Sequence, residues 1–87
     1  MQLDDRTMDD ALVNLRKVQG QVAGVIRMIE QGRDCREVVR QTSAASHALE
    51  RVGFRLVASG LKRCITEGDA ATGVDADELE RMFLSIG

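Results

Sequence analysis

A chain of 87 residues is one domain near the lower limit for burying a self-sufficient core. Proline, tryptophan and tyrosine are absent and phenylalanine occurs twice, so the apolar content is aliphatic, nothing interrupts a long helix, and an all-α chain that completes its core by oligomerising is expected. The acidic start and the lack of any apolar run of spanning length argue against a secretory leader and a membrane helix and point to the cytoplasm; there, two cysteines indicate metal binding, redox chemistry or neither, rather than a structural disulfide.

The formal net charge of −2 hides a segregation. Residues 1–10 and 66–87 hold ten of the fourteen acids and only two bases, Arg6 and Arg81. Residues 11–65 hold ten bases against four acids. A basic middle between acidic ends is compatible with nucleic-acid binding. A solvated helix face accounts for it as well, and charge alone favours that plainer reading.

A first helix is predicted over about residues 7–31, its start among Asp5 to Asp10, whose carboxylates suit a positive helix N-terminus. Leu15, Val18, Val22, Val25 and Ile29 step by three and four, with Leu12 and Ile26 widening the stripe, as in a bundle seam. Gly20 and Gly24 weaken a solitary helix by about 1 kcal/mol each. On one face they permit close approach, by a neighbouring helix in preference to a nucleic-acid backbone. Gly32 suits a helix C-terminus, and Asp34 followed by Glu37 resembles a capping box that opens the second helix. So short a connection implies an antiparallel hairpin.

The second helix is predicted over about residues 35–66. Val38, Thr42, Ala45, Leu49, Val52 and Leu56 form one stripe, and Phe54, Val57, Leu61 and Cys64 form another. Apolar surface thus wraps around the helix, and one hairpin partner cannot cover it. Cys35 and Cys64 are separated by about 43 Å at roughly 1.5 Å per residue, longer than a compact monomer of this size, with a radius of gyration of about 12 Å, accommodates. An oligomer of long hairpins is expected. Glu67 to Gly73 reads as a loop. Asp75 and Glu78 cap a short third helix over about residues 76–86, with Leu79, Met82, Phe83 and Ile86 on one face. Phosphate-loop, nucleophile-elbow and zincin patterns are absent from the sequence.

Cys35 falls at the first position of the second helix, flanked by Arg33 and Arg36, where unpaired amides and the helix dipole favour a thiolate. Cys64, at the far end, reads equally as a small buried hydrophobe. The two cannot pair within one chain, since a disulfide needs Cα atoms within about 7 Å. If two such helices pair antiparallel, Cys35 of one chain meets Cys64 of the other at both ends. His47 is remote from both and reads as a surface or partly buried histidine. Two thiolates make a poor zinc site but suit linear Cu(I) or sulfur redox chemistry.

The run Leu15-Arg16-Lys17-Val18-Gln19-Gly20-Gln21-Val22-x-Gly24-Val25, with Asp34-Cys35, Gln41-Thr42-Ser43-Ala44 and Leu61-x-x-Cys64, resembles the CsoR/RcnR family of bacterial repressors. The resemblance covers the chain from about Leu12 to the third helix. It implies a single domain over residues 1–87, three helices per subunit, hairpins joined into an antiparallel four-helix dimer, and a dimer of dimers. Such a homotetramer holds operator double-stranded DNA until an inducer releases it. It implies DNA contacts from Arg16, Lys17, Gln21 and Arg51, to which Arg55 is added one turn on; Ser46 departs from a position that is basic in several members.

Copper sensors of the family carry a histidine four residues before the second cysteine, where this chain has Gly60. Nickel, cobalt and formaldehyde sensors replace that second cysteine and draw on N-terminal residues, which here are Gln2, Leu3, Asp4 and Asp5. Two cysteines without the histidine resemble the persulfide-sensing branch. The expected function is therefore a repressor released by low-molecular-weight persulfides or other sulfane sulfur donors, with Cys35 attacking, Cys64 of the neighbouring subunit resolving, and no resident cofactor. The alternatives are a Cu(I)-responsive repressor using both thiolates, and a helical interaction module that binds no DNA. No pair of side chains suggests an enzyme.

Overall fold

The computed structural model describes residues 3–68, 73 and 75–86. The described residues hold three helices: α1 (Asp5–Glu30), α2 (Cys35–Glu67) and α3 (Ala76–Ile86). The predicted loop from Glu67 to Gly73 lies largely outside the described residues.

α1 starts at Asp5, earlier than residue 7, because Asp4 is the cap: its Oδ1 accepts the Thr7 N–H at 2.7 Å. The helix ends in a Schellman motif. Gly32, at φ 70°, donates its N–H to the Ile29 carbonyl at 3.1 Å, and Arg33 donates to Met28 at 3.0 Å. A left-handed residue is needed there, and glycine adopts it without strain.

Asp34 caps α2, but the expected reciprocal box does not form. Its Oδ1 accepts from the Arg36 N–H at 2.8 Å, while the Glu37 side chain turns away to pair with Arg33, whose Nε donates to it at 3.3 Å. An ion pair one turn apart outcompetes the bond back to the Asp34 amide. At α3 the Asp75 cap forms as expected, accepting from the Glu78 N–H at 2.7 Å.

α1 and α3 each pack along α2. The apolar core consists of Val18, Ala45, Val52, Cys64 and Leu79. Two contacts seat α3: the rings of Phe54 and Phe83, 5.0 Å apart between centroids, and Ile86 against Gly53. A Cβ at Gly53 would lie 3.1 Å from the Ile86 Cδ1, so this mid-helix glycine is a docking surface and not merely a weak point. Thr7 and Ser59 share a hydroxyl hydrogen bond of 3.0 Å that ties the start of α1 to the second half of α2.

The subunit measures 53 × 24 × 13 Å, with a radius of gyration of 16.5 Å, against about 12 Å for a compact chain of this length. Its least dimension is about that of one helix with its side chains. Of the predicted α1 seam, Val18 is buried, while Val22, Ile26 and Ile29 are 46%, 53% and 61% exposed. No large side chain among the described residues is fully enclosed. One subunit therefore leaves a long aliphatic stripe open, the circumstance that drives helices to associate. A Cβ added at Gly20 would meet nothing within 4 Å, and one at Gly24 would meet the Arg27 guanidinium at 3.7 Å. Among the described residues no neighbouring helix packs closely on these glycines.

Candidate functional site

The two thiols occupy opposite environments. Cys35 is the first residue of α2 and is exposed; Cys64 lies near its other end and is buried. One unbroken helix holds both, so the separation of about 43 Å set by helical rise applies. The cations beside Cys35 are both engaged by carboxylates: Arg33 with Glu37, and Arg36 with Asp34 at 3.6 Å. The local field at that thiol is thus less positive than its flanking residues alone suggest. His47 is exposed and lies on the helix between the thiols. Gly60, one turn before Cys64, is buried. Among the described residues no cluster of three His, Cys, Asp or Glu side chains could hold a metal ion. The described residues of one chain therefore build no closed metal site. Cys35 and Cys64 remain as soft donors of the type Cu(I) prefers.

The second feature is a cleft of about 400 Å³ along the junction of α1 and α2. Lys17 and Gln21 line it from α1, and Arg51 and Arg55 from α2, over a floor that includes Val18 and Val52. Helical periodicity explains the grouping. Lys17 and Gln21 are one turn apart on α1, as are Arg51 and Arg55 on α2, and the buried valines bring the two pairs face to face. Three cations and two amides converge there with no acidic side chain in the lining. Arg16 is exposed but not part of this cleft; one residue from Lys17, it is turned about 100° around the helix. Ser46 is exposed on α2, outside the cleft. Sequence reading identified these cations singly and missed that Asn14 and Ala48 complete the walls; only the pairing of the two helices reveals them.

A helical hairpin with a basic cleft on one flank and a cysteine at each end of its longer helix joins a surface suited to nucleic-acid phosphates with two soft donors. The family model described as metal-sensitive transcriptional repressor matches residues 7–85, and the chain belongs to that family, the CsoR/RcnR repressors. It is 41% identical over 69 residues to the copper-sensing transcriptional repressor RicR of Mycobacterium tuberculosis, covering 79% of this chain and 72% of that protein. It is 30% identical over 78 residues to the copper-sensing transcriptional repressor CsoR of Bacillus subtilis, covering 88% and 75% respectively. A shorter match, 45% identical over 40 residues, is to the uncharacterized protein YrkD of Bacillus subtilis, of which the chain spans 64%. No solved structure matches. No helix among the described residues is long and apolar enough to cross a membrane.

Proposed function

We propose that this protein is a non-enzymatic, cytoplasmic repressor that holds operator DNA through the Lys17, Gln21, Arg51 and Arg55 cleft, with Arg16 as a further contact. Cu(I), captured between Cys35 of one subunit and Cys64 of its antiparallel partner, releases it. The observation that carries this reading is the placement of two soft donors at opposite ends of one unbroken helix. Such donors can combine only across subunits, where a bound ion is felt by the assembly that holds DNA. The relatives that span most of the chain are copper sensors, which supports Cu(I) over the persulfide inducer expected from the sequence. Thiolates are soft donors that suit Cu(I), and two of them suffice for its two-coordinate form, whereas zinc asks for four ligands or three and a water. The exposed Cys35 is the first point of capture, and the enclosed Cys64 completes the pair.

The test is titration with Cu(I) against a competing chelator while operator binding is followed by fluorescence anisotropy. Tight binding of one ion per thiol pair, with loss of the DNA complex at that stoichiometry, is expected. Binding no tighter than that of a free thiol, or binding without DNA release, refutes the copper reading.

Gly60 favours a second reading, because it supplies no imidazole where a copper sensor has one. The Cys35 thiolate would attack the outer sulfur of a low-molecular-weight persulfide, expelling the parent thiolate and forming a Cys35 persulfide. Cys64 of the partner would then attack the inner sulfur, expelling hydrosulfide and leaving a disulfide. Mass spectrometry after treatment with glutathione persulfide distinguishes the two readings. Chains crosslinked through Cys35 and Cys64 support sulfur sensing, and unmodified thiols exclude it.

A further inference from the structure

The basic cleft does not end at Arg55. It shares Asn14, Val52 and Arg55 with a second cleft of about 230 Å³, which in turn shares Thr7 and Ser59 with a third of about 520 Å³. The three form one continuous groove along the α1–α2 junction. From Ala48 to Thr66 it runs about 27 Å at helical rise, which matches about eight base-pair steps of duplex at 3.4 Å each.

Cations are grouped at two stations along this groove. The first is Lys17, Arg51 and Arg55. The second, at the far end, is Arg6 on α1 with Lys62 and Arg63 on α2. Periodicity aligns the stations, because Arg51, Arg55 and Lys62 fall at i, i+4 and i+11 on one flank of α2. Arg63 is held by Glu67 at 3.0 Å. Among the described residues, Arg6 and Lys62 make no ion pair, and both are exposed. The Thr66 hydroxyl beside them is spent on the Lys62 carbonyl at 3.0 Å, and Thr7 and Ser59 share one hydroxyl hydrogen bond, so a single hydroxyl donor of that pair is left for a phosphate oxygen. Asp10 lines the stretch between the stations and Asp4 the far end. Favourable charge is therefore concentrated at two separated points, with a less favourable stretch between them.

We infer that Arg6 and Lys62 form a second phosphate-binding station, so that the backbone of operator DNA follows the α1–α2 groove to the C-terminal end of α2. This rests on the DNA-binding reading of the first station. It also places a DNA contact two residues from Cys64, so that capture of an inducer by that thiol would act on the end of the helix that grips the duplex.

The test measures operator affinity as a function of salt for the full-length protein and for Arg51→Gln, Arg6→Gln, Lys62→Gln and Lys62→Arg. Each lost phosphate contact is expected to lower the slope of log K against log salt by about 0.9 for every subunit lying on the DNA. Arg6→Gln and Lys62→Gln should each lower it, with an equal loss on a scrambled duplex, because phosphate contacts carry no sequence information. Lys62→Arg should restore it. A lowered slope for Arg51→Gln with unchanged slopes for Arg6→Gln and Lys62→Gln overturns the second station and leaves the first intact. Unchanged slopes for all three Gln variants overturn the DNA reading of the groove, and the second station with it.

Discussion

Cys35→Ala and Cys64→Ala each delete one thiol from every subunit, so neither variant alone can assemble a complete intersubunit pair. Their mixture can. The two positions are about 43 Å apart along α2, and bridging needs an approach of about 7 Å, so each pair takes one thiol from each subunit. In an antiparallel dimer of one Cys35→Ala subunit with one Cys64→Ala subunit, one end carries two alanines and the other carries both cysteines. After equimolar mixing and subunit exchange, half of the dimers are mixed and each holds one pair. The recovered capacity is therefore about one quarter of the native value, which is two pairs per dimer. The assay is Cu(I) competition against a chelator, performed on each variant, on the mixture before exchange, and on the mixture after partial unfolding and refolding. Capacity that stays at the average of the two parents after exchange refutes the intersubunit arrangement. Full retention by either single variant refutes it as well.

Other perturbations probe the frame that positions this site. Truncating a buried Phe costs about 3–5 kcal/mol; Phe83 is 47% exposed, so Phe83→Ala should cost about half as much, about 2 kcal/mol, read as a lower urea midpoint at fixed subunit concentration. Gly53→Ala places a Cβ 3.1 Å from the Ile86 Cδ1, the movable end of a side chain near the end of α3. The gain of about 1 kcal/mol from helix propensity should survive. Gly53→Val should instead expel Ile86 and destabilise the protein, and similar melting temperatures for the two variants would disprove this docking of α3. Hydrogen bonds from Thr7, then the charges of Arg63 and Arg6, hold the Asp4 carboxyl below its ordinary value of 3.8. A depressed folded-state pKa contributes stability above the unfolded value that is lost as pH falls through the lowered one. The stability gap between the native protein and Asp4→Asn should therefore narrow as the solution is acidified across that window; a gap independent of pH counts against the charged cap.

Much of the fold is legible because local signals carry it. Asp34 and Asp75, each followed three residues later by glutamate, mark two helix starts, and Gly32 marks a stop. In a chain without proline, three- and four-residue apolar spacing leaves little besides helix. The signals mislead where two local interactions compete. Glu37 could complete a capping box or pair with Arg33, and only the geometry decides for the latter. They are silent where a contact is distant in sequence. Gly53 reads as a defect until Ile86 is seen against it. The groove behaves in the same way, since Lys17 and Arg51 come together only through the packing of Val18 and Val52 beneath them. Arg16 and Lys17 are equivalent as letters, yet a turn of about 100° per residue puts one in the cleft and the other outside it. For the thiols, helical length alone excludes pairing within the chain, whereas the burial of Cys64 against the openness of Cys35 is a property of the fold.

The 13 Å thickness of the subunit has a genetic consequence. A plate one helix deep keeps little apolar surface from water by itself, so its folding is expected to be coupled to association and its stability to depend on its own concentration. Few subunits would then persist unpaired, and native and altered copies made in the same cell would be drawn into mixed assemblies. A copy that keeps the helices and the basic groove but lacks both thiols would leave every dimer it joins without a complete pair, and those dimers would stay on the operator when the inducer arrives. Loss of sensing should therefore be dominant over the native allele, and more completely so as the altered copy is expressed in excess.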